Sequence, residues 1–248
     1  MKLKIFKARS LLIIPVILTF TALAWGQKSG YVWADKPTSP SYTPDTTYSF
    51  NSSGGAIKIT HNPGVAGTYL VTFAGLGGGG SGTWGGNVIV TSYGSGSETC
   101  KVINWDSAGA DFIVKVRCLN TAGTPADSMY TVRVVWNNPA SAPGGSGYAW
   151  ADKPTTLSYT PNTTYSFNSS GGAITISRGP IGNYTVKFAG LGGGTLGGNV
   201  QVTAYGAGSE TCKVVNWSFG PSDFTAKVSC FSSGGTPVDT QYTINVVR

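Results

Sequence analysis

The chain carries one unit twice. Gly30 to Val135 opens GYVWADKPTSPSYTPDTTYSFNSSGGAI, and Gly147 to Val247 opens GYAWADKPTTLSYTPNTTYSFNSSGGAI. The copies stay in step through FAGLGGG, GGNV, GSETCKV and NW, with roughly three positions in five identical. A unit of about 100 residues has the size of a self-contained domain, whereas solenoid repeats are shorter and more numerous. The predicted organisation is therefore two tandem domains, 30–136 and 147–248. The Pro/Gly/Ser-rich stretch 137–146 reads as a linker.

Within a unit the pattern is that of strands. After residue 26 the chain has 20 valines against 6 leucines, and no stretch sustains a helical period. Alternation of apolar and polar residues runs through Tyr31–Trp33, Thr47–Phe50, Ala56–Ile59, Tyr69–Phe73, Asn87–Thr91 and Tyr130–Val134, and around Cys100 and Val116. That gives seven or eight strands per unit, punctuated by Gly, Pro, Asn and Ser. The expected fold is all-β: two tandem antiparallel β-sandwiches, immunoglobulin-like or jelly-roll-like, with a closed barrel as the alternative.

The four cysteines fall as Cys100/Cys118 and Cys212/Cys230, 18 residues apart in each copy. A hairpin turning at Gly109, or at Pro221, sets each pair directly opposite, within disulfide range. An unbroken register puts Cys100 and Val102 on the core face. Trp105 then falls on the opposite face with Lys101, Ile103, Ile113, Lys115 and Arg117. Metal-binding Cys-x-x-Cys spacing is absent, and a single histidine gives no support for a metal centre.

Lys2, Lys4, Lys7 and Arg9 precede an apolar run, Leu11 to Phe20, and the small-residue site Ala22-Leu23-Ala24. This reads as a secretory signal peptide over 1–24, cleaved after Ala24, with Gly26 the alternative. The expected location is secreted or extracellular, or periplasmic, where disulfides persist. Removing the segment lowers the formal charge from +7 to about +3. The remaining bases are scattered, so no nucleic acid is expected as partner. No membrane insertion is expected once the signal is removed.

Chemistry is scarce. His61 has Arg178 as its counterpart, so no histidine mechanism is shared by the units, and it reads as a solvated turn residue. The acids present in both copies are Asp35/Asp152, Glu98/Glu210, Asp111/Asp223 and Asp127/Asp239. Glycosidase chemistry needs two of them converging on a sugar, which sequence does not reveal. No Gly-x-Ser-x-Gly elbow or phosphate-loop order occurs in the glycine loop 75–86. No catalytic residue, metal or cofactor is assigned, and the protein is read as not an enzyme.

The aromatics are the opening for binding. Trp33/Trp150 and Trp105/Trp217 recur, and Trp84 sits at the tip of the glycine loop. Flat rings beside Asp35 and Asp152 are candidates for sugar stacking, although such rings also fill small β cores. The YxWADKPT opening and the GSETCKV segment, with a second Cys before GTPxD, resemble a tandem repeat of secreted bacterial proteins that carries no established activity. The resemblance spans both copies and implies a self-contained extracellular β-domain; it transfers no catalytic residue. The expected function is a secreted, non-catalytic tandem binding module for a glycan or surface partner, in adhesion or carbohydrate binding. The alternative is a structural, self-associating protein of an extracellular matrix or surface layer.

Overall fold

Alternating Val, Ile and aromatic residues build strands throughout the computed structural model, which describes residues 28–62, 64–78, 85–136, 145–193 and 198–247. The signal segment 1–24, Trp84 and linker residues 137–144 lie outside the described residues. The first unit contains β1 (Lys28–Ala34), β2 (Ser41–Tyr42), β3 (Ser49–Asn51), β4 (Ile57–His61) and β5 (Thr68–Phe73). It continues with β6 (Asn87–Tyr93), β7 (Thr99–Asp106), β8 (Phe112–Leu119) and β9 (Met129–Trp136). The second unit repeats them as β10 (Ser146–Ala151), β11 (Ser158–Tyr159), β12 (Ser166–Asn168), β13 (Ile174–Arg178) and β14 (Asn183–Phe188). Then follow β15 (Asn199–Ala204), β16 (Thr211–Phe219), β17 (Phe224–Phe231) and β18 (Tyr242–Val247).

Each unit is an antiparallel sandwich. Sheet β3-β1-β9-β6 faces sheet β2-β4-β5-β8-β7, and the second unit has the same strand orders. Val32, Val132 and Val90 lie side by side across β1, β9 and β6, and Ile59, Val71 and Val114 across β4, β5 and β8. Both rows point inward and meet in one buried core per unit. Period-two alternation therefore sends their neighbours Tyr31, Trp33, Thr131 and Arg133 to the outer face. Gly30 permits β1 to cross the sandwich closely, since a Cβ there would lie 2.7 Å from the Phe73 ring.

Two local features depart from simple alternation. Thr46–Tyr48 forms a 3₁₀ turn instead of a strand, because the Asp45 carboxylate accepts the Thr47 N–H at 2.7 Å. Asn162 does the same for Thr164 at 2.9 Å. The second feature is a β-bulge. Cys100 pairs with Cys118 and Val102 with Val116, but Asn104 pairs with Lys115, so Ile103 is the extra residue. Beyond it the side chains of β7 change face, and Trp105 stands opposite buried Val114 instead of on the outer face expected from an unbroken register. β16 has the same bulge between Val214 and Asn216.

The disulfides Cys100–Cys118 and Cys212–Cys230 join directly opposed residues, with Cα separations of 4.0 and 4.1 Å. They tie the edge strands β7 and β16 to their sheets. Replacing both Cys212 and Cys230 by serine should cost about 2–4 kcal/mol in a denaturant melt, the usual value for closing a loop of this size.

Candidate aromatic docking face

The outer face of sheet β3-β1-β9-β6 gathers the first unit's exposed rings. Trp33 projects from β1; Tyr48, set by the 3₁₀ turn, meets it edge-on at 5.3 Å, and Tyr93 from β6 lies at 5.2 Å. Tyr31, Tyr48 and Tyr93 are each about half exposed, at 48%, 54% and 51%. These rings border an open cleft of about 570 Å³ whose polar lining is threonines, Arg133 and Gln201 of the second unit. No carboxylate lines it.

The second unit has the same constellation: Trp150 with Tyr165 at 5.3 Å and Tyr205 at 5.1 Å. There it is covered. Trp105 of the first unit inserts against Trp150, Tyr165 and Tyr205, with ring centroids at 6.3, 5.8 and 5.5 Å. Tyr148, the counterpart of half-exposed Tyr31, retains 4% exposure. Burial pushes the Tyr165 and Tyr205 hydroxyls above their ordinary range.

Polar pairs fix the register of this contact. Lys101, 3% exposed, donates to the Gly208 carbonyl at 3.1 Å and to Glu210 at 3.2 Å. Burial lowers its pKa, opposed by the Glu210 charge. Arg133 donates to the Asn245 side-chain oxygen at 2.7 Å, and the Thr243 hydroxyl to the Val88 carbonyl at 2.6 Å. Edge strand β7 also gives its Val102 carbonyl to the Gly206 N–H at 3.0 Å.

Of the candidate residues, Trp105 and Trp150 are thus brought together across the two units. Trp33 lies in the open cleft, and Trp217 stands 43% exposed on β16. Asp35 and Asp152 follow the ends of β1 and β10. In each unit one oxygen of this acid and the indole N–H two residues earlier are buried without a hydrogen-bond partner. Sequence reading gives Tyr93 and Tyr205 only as rings repeated in both copies, and does not single out Tyr48 or Tyr165. Alternation places Tyr93 on a face with Ile89 and Thr91, but the 3₁₀ turn that delivers Tyr48 leaves no periodic signal.

Asp127, Asp239, Asp111 and Asp223 are occupied within their own units. Asp127 accepts from the Gly67 N–H at 2.6 Å, His61 Nε2 at 2.9 Å and the Tyr69 hydroxyl at 3.2 Å. His61 is therefore a partly buried strand residue, not a solvated turn residue, because this carboxylate holds it. Asp239 repeats the hub, accepting from Arg178 Nε and the Gly182 N–H at 2.8 Å and Tyr184 at 3.1 Å. Gly67 and Gly182 serve both hubs with left-handed backbone, φ 63° and 74°. Asp111 and Asp223 accept the N–H groups of Gly75 and Gly190. Among the described residues, no three His, Cys, Asp or Glu side chains are grouped to hold a metal.

Burial opposes ionisation of Asp127, but the Gly67 N–H, the His61 charge and the Tyr69 hydroxyl outweigh it and lower its pKa. Asp239 is held low first by its Arg178 hydrogen bond, against partial burial. A lowered folded pKa stabilises the fold above the unfolded value near ~4, and that stabilisation fades as pH falls through the folded pKa. Asp239→Asn should therefore lower the melting temperature at pH 7 and approach the parent near pH ~2. Trp105→Ala should expose the second unit's rings, raising amide exchange at Tyr205–Gly206 while leaving the exchange of the central strands β5, β8, β14 and β17 unchanged.

No family model matches the chain, and no curated protein or solved structure matches it either.

Proposed function

We propose that the protein is a secreted, non-catalytic docking module whose first-unit aromatic face receives a protein partner. One observation carries this reading: the same face of the second unit is occupied, and its occupant is protein. The ring geometry is the same in both units, which supports protein as the kind of occupant for the open face. Two disulfides suit an oxidising compartment. Among the described residues, no helix is long and apolar enough to cross a membrane.

The test uses the intact mature protein and its Trp33→Ala variant on cells that secrete it, on the same cells after protease shaving, and on cellulose, chitin and peptidoglycan. Retention by untreated cells should fall at least about tenfold with Trp33→Ala, as for a central aromatic anchor. Shaving should abolish it, and the polysaccharides should retain nothing. Trp33-dependent retention by a polysaccharide would make the ligand a glycan, and equal retention of the variant would remove the face from the function.

A further inference from the structure

The contact between the units is largely heterologous: the β7 edge of the first unit meets the aromatic face of the second, and Arg133 and Asn245 are counterparts that touch each other. Because the units are copies, each also presents the half of the contact that it does not use. The receiving face is open on the first unit. The inserting edge is open on the second along β16, a sheet edge on which Val215 and Trp217 are 53% and 43% exposed, while β15 beside it already packs against β6 and β7. In the first unit the equivalent edge is closed: Lys101 is buried there against Glu210 and Trp105 is half-buried against the second unit's rings. An open edge bearing apolar side chains is a template for association.

We propose that the occupant of the open face is a second copy of this chain. Edge strand β16 of one copy docks on Trp33, Tyr48 and Tyr93 of the next, as β7 of the first unit docks on the second, giving a head-to-tail assembly. This rests on the docking reading above and names the partner for the same face. Trp217 supplies the ring that Trp105 supplies within the chain. Lys213 is placed to meet Glu98, as Lys101 meets Glu210. Arg133 and Asn245 are already paired within the chain, so the joint between chains lacks this hydrogen bond. Thr131 stands for Thr243, with the Val200 carbonyl as its acceptor in place of that of Val88, and Gly94 stands for Gly206 opposite the Val214 carbonyl.

The copies differ in ways that weaken the joint without removing it. Arg117 donates to the Ala207 carbonyl at 3.4 Å, and its counterpart is Ser229. Buried Ile89 has exposed Gln201 as its counterpart. The joint between chains is consequently weaker than the joint within a chain and depends on concentration. A heterologous contact that does not close on itself propagates as a filament, and one that closes gives a ring.

The experiment is sedimentation velocity of the mature chain up to about 0.5 mM, enough to reveal a micromolar contact. Four preparations are compared: parent, Trp33→Ala, Trp217→Ala, and an equimolar mixture of the two variants. The parent should form a concentration-dependent series of oligomers. Each variant alone should associate at least about tenfold more weakly. The mixture should stop at a 1:1 dimer, because only the intact edge of Trp33→Ala and the intact face of Trp217→Ala fit together. Lys213→Glu and Glu98→Lys, both outside the cores, guard against misfolding: each should dissociate the series and the double variant should restore it.

Association lost with Trp33→Ala but kept with Trp217→Ala would overturn the head-to-tail joint while leaving the docking face in place. A monomeric parent, or oligomers indifferent to both substitutions, would also overturn it. In those cases retention on cells decides the docking reading separately.

Discussion

The arrangement of this molecule depends on one extra residue in an edge strand. A β-strand assigns faces by counting in twos, so inserting Ile103 between the pairs Val102–Val116 and Asn104–Lys115 inverts every side chain that follows. Without the bulge Trp105 would lie with Lys101 and Arg117 on the outer face of its own sheet. With it, the ring turns to the sandwich edge, packs on the margin of the first core, and reaches the rings of the second unit. The neighbouring disulfide holds the strand on which this inversion occurs. The cross-link therefore sets the position of a docking residue as well as the stability of a unit.

The bulged edge also settles how a sandwich with open sides is protected. Strands β6 and β7 are both sheet edges, with backbone groups that no strand of their own unit satisfies. The second unit covers them: Gly206 takes the Val102 carbonyl, Thr243 takes that of Val88, and Glu210 neutralises Lys101. Lys101 illustrates the balance. An ammonium at 3% exposure is expensive to desolvate, and it is tolerated because a carboxylate and a carbonyl meet it across the joint.

Much of this was legible in the sequence, and the part that was not has a physical explanation. Strands β1, β4 to β6, β8 and β9 follow from alternation, because a half-buried strand must alternate. The cysteine pairing follows from equal spacing about a turn. The face of Trp105 did not follow, because a bulge costs one residue and leaves no compositional mark in Val-Ile-Asn-Trp. His61 was misread for a different reason. Its partner Asp127 is 66 residues away, and only the folded chain brings the two to 2.9 Å.

Differences between the copies carry information that their identity conceals. His61 and Arg178 differ in chemistry yet meet the same acid in the same hub, so either cation suffices where the requirement is local. Ile89/Gln201, Arg117/Ser229 and Arg133/Asn245 differ along the contact surface instead. Ile89 is buried and Arg133 half-buried at the joint, whereas Gln201 is exposed and Ser229 turns to Asn183 of its own unit. A side chain facing another unit is constrained by that unit, whereas one facing solvent is constrained by solubility. The aromatic triad, the bulged tryptophan and the Lys–Glu pair remain alike in both copies, although solvation alone would favour replacing Trp217 and Val215 with polar residues. Their presence on an uncovered edge is the observation that the proposed second chain would account for.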